Sequence, residues 1–459
     1  MPYNDFREFL DALRQQGDLV EIDRPVDLRY DVAKVLKQSY ARQGPAVVFR
    51  QNGTPYPLVG GLYATRGKAL LAFQATERTI FEKVLSGLDH PVGPAMVAGP
   101  APCQEVVLTG DTIDIARFPI PVYSPQDGGP YITPGIFVCK DPDSGVADIG
   151  HYRAQIVDKN HFTFFAQPFH RFGKYVAKCQ RAGIKPVGAI VIGVDPVLAY
   201  ACQVQTSDDT DDWHVAGGLR GAPVELVRCK TIDLAVPATA EVVIEFEVDP
   251  GRTVSEGPLG EYTGYYTPAS DKPVARITAI THRRDPYFQA LLTGKPVTEN
   301  HILKSIPFEA SVGRALRAQF PSIDRVAISP SGGVSFRVVI SMQPRFAGEA
   351  RQAILAAMAS NIRPKWVIAV EPDINIHDSA EVEWATCFRV RPDRDVFVVD
   401  GLPAGPLDPS AGEASATAAR LSSAVGIDAT RPFGESFPDV ADVPGWQDYA
   451  APELNGNGV

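Results

Sequence analysis

The chain has 459 residues, 45% hydrophobic and 21% charged, an ordinary globular balance with enough length for two or three domains rather than one core. Its formal net charge of −10 argues against a general nucleic-acid binder, which needs a basic surface to meet phosphates. The six cysteines are scattered with no C-x-x-C pair, so the chain reads as reduced and cytoplasmic, not as a disulfide framework or a zinc ribbon.

The opening Met1-Pro2-Tyr3-Asn4-Asp5 is polar and shows neither a secretory leader nor a membrane span. Phe6, Phe9, Leu10 and Leu13 fall at helical spacing, and Asp5 with Glu8 resembles a capping box. A strand over Leu19–Ile22, a helix over Asp31–Tyr40 and a strand over Ala46–Phe49 complete a small α/β unit. Gly99-Pro100-Ala101-Pro102 marks a boundary after it. From about residue 105 to 300 the chain becomes β-rich. Val187–Val194 suits a buried strand. Val242, Ile244, Phe246 and Val248 alternate with Val243, Glu245 and Glu247 as a half-buried strand should. Strands over Arg276–Thr281 and Tyr287–Leu292 flank a turn, and the set of short strands suggests a barrel or sandwich. After residue 305, a helix over Phe308–Phe320 precedes a strand–helix–strand run: Ser335–Met342, Ala347–Ser360 and Trp366–Val370. That order implies a parallel pair in an α/β domain. Val396–Val399 reads as a further strand, and residues 401–424, rich in Gly, Pro, Ala and Ser, read as a mobile loop with room for one helix.

No G-x-G-x-x-G follows a strand, and no Walker loop, H-E-x-x-H or G-x-S-x-G elbow is present, so nucleotide-hydrolase, zincin and serine-triad readings lose support. The most informative segment is Glu256-Gly257-Pro258-Leu259-Gly260-Glu261-Tyr262-Thr263-Gly264-Tyr265-Tyr266. It sets an acid on each side of a stiff Gly-Pro-Leu-Gly corner, which suits a site with one proton carrier and one partner to tune it. Alone, it also fits a surface turn with two solvated acids. Three further polar islands are Asp148-Ile149-Gly150-His151-Tyr152-Arg153, Gln167-Pro168-Phe169-His170, and Asp208 to Asp212 before Gly217-Gly218-Leu219-Arg220-Gly221. Each has a plain alternative: Asp148 capping a turn, His170 half-buried with one hydrogen bond, Asp208 to Asp212 a solvated loop.

Taken together, these islands give the chain its resemblance to the UbiD family of prenylated-flavin-dependent decarboxylases, from near residue 5 to about residue 435. The E-G-P-x-G-E/D-x-x-G-Y segment carries most of the likeness. Gly217 to Glu225, Val236 to Glu241, Trp384 to Arg389 and Gly426 to Thr430 extend it. The resemblance implies an N-terminal α/β domain (1–105), a central split β-barrel that binds prenylated FMN (106–305) and a C-terminal α/β dimerisation domain (306–459). It implies reversible, non-oxidative decarboxylation of an aromatic, heteroaromatic or acrylic acid through a covalent cofactor adduct, with release of CO₂. Arg153, Glu256 and Glu261 match the catalytic network, with Glu261 as proton donor and Glu256 as the arginine's partner. An arginine can hold a carboxylate in a bidentate contact, and two close carboxylates do not both ionise cheaply.

Thr133, Asp148, Ile149, Gly150, Arg153, Gln167 and His170 match cofactor-side positions. Asp148, His170 and Asp212 match those that hold Mn²⁺ or Mg²⁺ against the cofactor phosphate, and K⁺ is expected beside it. Here the chain departs from the usual Asn, His and Glu, which adds a negative charge and shortens the third ligand. Ala424 stands where relatives often carry lysine. Gln167, Phe169, Leu291, Thr293 and Pro403 to Leu407 are substrate-facing candidates. His151 and His301 are candidates to read a ring heteroatom or hydroxyl, and either also fits a surface histidine. A flavin prenyltransferase would supply the cofactor, and a homodimer or higher homo-oligomer is expected, with no nucleic-acid or membrane partner. Three rivals remain: an inactive or accessory carboxylase subunit, a flavin-free metal-dependent hydrolase or lyase, and a structural interaction protein.

Overall fold

The computed structural model describes residues 2–167, 170–295, 297–405, 407–411 and 420–445. At the N-terminus the helix Phe6–Gln15 forms where the spacing predicts, with Phe6, Phe9, Leu10 and Leu13 all buried. Each such side chain contributes about 1.5–3 kcal/mol of burial. Asp5 caps the helix by accepting from Arg7 N (2.9 Å) and Glu8 N (3.0 Å). The return bond of the expected capping box lands one residue early: Glu8 accepts from Asn4 N at 2.8 Å. Strands Leu19–Ile22, Ala46–Phe49 and Leu58–Gly60 then pair in order, and Phe288–Gln289 adds a fourth from far along the chain. The strand expected over Tyr287–Leu292 is only that short piece, because it serves this sheet and not a hairpin with its predecessor.

The centre is a nine-stranded sheet in which every pairing is antiparallel. Its spine is a long antiparallel hairpin, Val242–Glu256 with Ser270–His282, registered from Val242↔His282 to Glu256↔Ser270. Val242, Ile244, Phe246 and Val248 enter an aromatic core, where the Phe246 ring lies 5.1 Å from Phe162 and 5.7 Å from Phe137. The opposite face departs from the half-exposed expectation. Val243 is buried in the other core, and Glu245 is buried under a loop whose Lys230 N (2.7 Å) and Thr231 N (2.6 Å) it accepts. The strand path runs from Tyr131–Ile132 to Ala147–His151, and among the described residues no pairing joins these two ends into a closed barrel.

The C-terminal sheet orders Ile323–Ile328, Arg337–Met342, Trp366–Val370, Leu421–Asp428 and Val396–Pro403. The expected parallel pair is present, from Arg337↔Trp366 to Ser341↔Val370. Residues 401–424 are not all loop. Strands Val396–Pro403 and Leu421–Asp428 pair antiparallel across both ends of the segment, while 412–419 lie outside the described residues. Ala424 is buried in this sheet's core.

One helix ties the three regions together. Glu299–Arg317 begins earlier than the expected Phe308, continuing through Pro307, because a Thr298/His301 capping box starts it and its apolar face is buried throughout. Ile302, Leu303, Ile306 and Ala310 join the core shared by the N-terminal and central sheets, whereas Phe308, Val312 and Leu316 join the C-terminal core. Its first residue, Glu299, is fully buried. It accepts Tyr40 Oη (2.6 Å), Gly61 N (3.1 Å) and Tyr63 N (3.1 Å). No helix among the described residues is long and apolar enough to cross a membrane. Replacing Glu299 with Ala strands three buried donors, so urea unfolding of E299A should show a loss of about 3 kcal/mol, with a smaller loss in E299Q.

Candidate active site

The far end of the long hairpin holds Glu256, followed by a cis Gly257–Pro258 bond and a miniature ladder, Leu259–Gly260 with Tyr266–Thr267, that carries the chain to Glu261. Gly257 has φ +95°, and the backbone of Gly128 passes so close that a Cβ there would sit 2.3 Å from Gly257 O. Gln155 brackets this corner. Its Oε1 accepts Gly257 N at 2.8 Å, and its Nε2 donates to Gly128 O at 2.9 Å.

Arg153, just before the strand Ala154–Asp158, reaches across to both acids. Nε and Nη2 donate to the two oxygens of Glu256 at 2.8 and 2.9 Å, a bidentate pair. Nη1 donates to Glu261 Oε1 and, at 3.0 Å, to Thr267 Oγ1. The Phe165 ring covers the guanidinium, 4.8 Å from Cζ. The Tyr131 hydroxyl lies 3.1 Å from Glu256 Oε1 and 2.9 Å from Gln155 Oε1. Burial pulls the Arg153 pKa down, but the bonds and charges of Glu256 and Glu261 more than offset this, and it ends raised. Burial and the Glu256 charge push Tyr131 up. The two acids differ in access: the Glu256 side chain is 0% exposed and that of Glu261 is 14% exposed. The first is locked in place, and the second can meet a ligand. Tyr131 and Gln155 were not singled out from the sequence. The available signal was Gln155 following Arg153 at strand spacing, which places both on one face.

A second cluster lies on the sheet edge. Strand Ala147–His151 ends the strand path, and the helix Asp212–Arg220 docks against it. Asp211 Oδ2 accepts Ala147 N (3.1 Å) and Asp212 Oδ2 accepts Ile149 N (3.0 Å), which satisfies edge donors that the sheet leaves open. Asp212 Oδ1 accepts Arg171 Nη1 and Thr206 Oγ1, both at 2.8 Å. Arg171 Nε stands 3.6 Å from Asp148 Oδ1, and Nη2 donates to Ala147 O at 3.2 Å. Burial first, then the Asp212 charge, push Asp148 up to about 6 against the pull of Arg171. His170 begins the helix Arg171–Ala182, with its ring 6.0 Å from that of Tyr152 and its pKa lowered by burial and by Lys304.

These residues do not fit a divalent ion as they stand. The Asp212 oxygens already take three protein donors, Arg171 supplies the positive charge between the two aspartates, and no group of three or more His, Cys, Asp or Glu among the described residues is placed to hold a metal.

The remaining expected residues divide. Thr133 Oγ1 donates to Leu291 O (2.6 Å) and lies 3.0 Å from Tyr123 Oη. Thr293 Oγ1 donates to Gly260 O. Both thus brace the segment beside the Glu256–Glu261 corner. Gln167 is half-buried in the approach to His170. Phe169, and Pro406 of the 403–407 loop, lie outside the described residues, while Ala404 is buried and Leu407 half-buried. His151 is half-buried beside Gln203, with a pKa lowered to about 4 by burial and by Lys304. His301 is neither a surface residue nor a reader of substrate, because both its nitrogens are taken: Nδ1 accepts Thr298 N (3.0 Å), and Nε2 donates to Tyr262 O (2.9 Å). A residue that sequence reading missed is Lys304, half-buried on the same helix, with Nζ 5.5 Å from the centre of the Tyr262 ring. The signal was a lone lysine inside the apolar run Ile302 to Ile306.

Two carboxylates, one sealed and one accessible, are thus held by a single arginine. Family models match the chain as the N-terminal (10–88), Rift-related (95–296) and C-terminal (301–429) domains of 3-octaprenyl-4-hydroxybenzoate carboxy-lyase. The chain belongs to the UbiD family of carboxy-lyases. An uncharacterized protein from Archaeoglobus fulgidus is 31% identical over 96% of each chain. The UbiD-class enzyme HmfF from Pelotomaculum thermopropionicum, in complex with FMN, is 34% identical with a TM-score of 0.90 over 97% of this chain and 99% of its own. An evolved dimeric form of HmfF in complex with prenylated FMN is 33% identical, TM-score 0.88, over 98% and 100%. The apo 3,4-dihydroxybenzoic acid decarboxylase of Enterobacter cloacae is 28% identical, TM-score 0.88, over 99% and 100%.

Two measurements test the electrostatics. Burial lowers the His301 pKa to about 4 from 6.5, so the neutral ring stabilises the fold fully above pH 6.5, and this contribution is lost as pH falls toward 4. Urea titrations at pH 7 and 4.5 should show the wild type losing about 2 kcal/mol more than His301→Asn. Mn²⁺ should not raise the melting temperature of the wild type. It should do so for Arg171→Ala, where the two aspartates lose their cation.

Proposed function

We propose that the protein catalyses reversible, non-oxidative decarboxylation of an aromatic, heteroaromatic or acrylic acid with prenylated FMN bound to the central sheet. The observation that carries this reading is the double engagement of Glu256 and Glu261 by Arg153. The groups that would hold the cofactor are the Gln167 amide, the His170 ring, which lies 6.0 Å from that of Tyr152, and the remaining N–H of Arg153. When bound, the flavin supplies the electron sink that lets the bond between the substrate carbon and its carboxyl group break.

The chain's own residues do the rest. Arg153 fixes the Glu261 carboxyl group against Thr267, and Glu256, held at both oxygens, fixes Arg153. As CO₂ leaves, Glu261 gives its proton to the carbon that kept the electron pair, and it is reprotonated from solvent through its open side. The reverse direction uses the same atoms, with Glu261 as base. Tyr262 and the buried Leu291 help keep the neighbourhood dry, where charge effects count for more. No step is assigned to a metal. The flavin-free metal reading loses ground because its carboxylates already bind Arg171, Thr206 and Ile149 N. A flavin prenyltransferase supplying the cofactor and a homodimer complete the proposal.

The test is co-expression with a flavin prenyltransferase, followed by an absorption spectrum, an intact-cofactor mass and a screen of aryl and acrylic acids for CO₂ release. A bound prenylated FMN and turnover of at least one such acid are expected. A well-folded protein without flavin would reject the reading. Glu261→Gln should retain the flavin spectrum and lose about 10³-fold in turnover. Normal turnover in that variant would remove Glu261 as the donor.

A further inference from the structure

Arg153 has little left to offer a substrate. Of the five N–H donors in a guanidinium, Nε and one on Nη2 go to Glu256, and the two on Nη1 go to Glu261 and Thr267. Among the described residues beside this corner, Lys304 is a cation with no bonded acid. It lies one helical turn beyond His301, whose Nε2 holds the carbonyl of Tyr262, the residue after Glu261. Its ammonium stands 5.5 Å from the Tyr262 ring centre and makes no hydrogen bond or ion pair with any described residue. Burial lowers its pKa, and the one carboxylate whose charge opposes this is that of Glu261, already bonded to Arg153. A half-buried cation whose nearest acid is already bonded to another cation is costly in an apo protein and is relieved by an anionic ligand.

Resting on the decarboxylase reading above, we propose that Lys304 binds a second polar group of the substrate, an anionic or strongly accepting substituent that the product keeps. The departing carboxylate is the poorer partner. A cation held against it would stabilise a charge that disappears as CO₂ forms, favouring the bound substrate over the transition state. A retained substituent keeps its charge throughout, so Lys304 can orient it without slowing bond cleavage. The favoured substrates are therefore unsaturated acids with an acidic or accepting substituent away from the reacting carboxyl group, in preference to simple monoacids.

The experiment uses the flavin-loaded protein and pairs of aryl or acrylic acids that differ only in a second carboxylate. The wild type should prefer the disubstituted member. Lys304→Met should collapse that preference about 10- to 100-fold, mainly through KM, and Lys304→Arg should restore part of it. Equal losses for both members of a pair, or loss of flavin absorbance in Lys304→Met, would overturn the proposal, the latter by assigning the cation to the cofactor. If the wild type releases CO₂ from no acid, the decarboxylase reading fails first. Flavin-absorbance titrations with the same pairs then decide on Lys304: selective weakening of the disubstituted acid in Lys304→Met supports it, and equal binding rejects it.

Discussion

Everything at this site depends on one guanidinium reaching across the end of a long β-hairpin. Arg153 and Glu256 are 103 positions apart, and their bidentate pair closes the gap between the hairpin and the strand that carries Gln155. A buried ion pair repays its desolvation only if the geometry is good and the remaining lone pairs are filled. Here Tyr131 stands over Glu256, Thr267 takes an Arg153 N–H, and Phe165 covers the cation's face. The consequence for function is rigidity. Glu261 is held by the same arginine as Glu256, so the accessible acid inherits the position of the sealed one.

The same device recurs on the sheet edge with a different outcome. Arg171 spans Asp212 and Asp148, and Asp212 also fills an edge N–H of the outermost strand. The cluster consists of two short acids with an internal cation beside them. The sum of charges near His170 is thereby set by protein groups. The cluster is as much a way of finishing the sheet as a place for a ligand.

Buried carboxylates also hold the larger pieces together. Glu299 joins the long helix to the N-terminal sheet, and Glu241 accepts Arg7 at 2.8 Å, tying the first helix to the hairpin. Arg66 meets Glu77, Glu309 and His377, linking the N-terminal region, the long helix and the C-terminal domain in one polar knot. On the same long helix, His301 holds the Tyr262 carbonyl and Lys304 lies over the Tyr262 ring, so helix and corner meet beside Glu261.

Much of this was legible in the chain. Apolar periodicity located Phe6–Gln15, Leu19–Ile22, Ala46–Phe49 and Trp366–Val370 because each buries one face or lies wholly inside, and burial writes its period into the residues. The Glu256–Glu261 segment announced a stiff acidic corner, because so rigid a turn with two acids has little use in a core, and the structure brings both acids to Arg153. Other features were beyond such reading. The start of the Glu299–Arg317 helix was hidden behind Pro307, since local propensity cannot see the packing that carries a helix past a proline. Glu245 looked solvent-facing until the Lys230–Thr231 loop folded over it, and His301 looked like a possible reader of substrate until Thr298 and Tyr262 took both its nitrogens. Residue types and spacing thus define which chemistry is available, because they record short-range geometry and burial. Which acid is sealed, which cation is spent on Glu256 and which is left without a bonded acid was decided only when distant segments met, because hydrogen-bond partners are allotted in three dimensions.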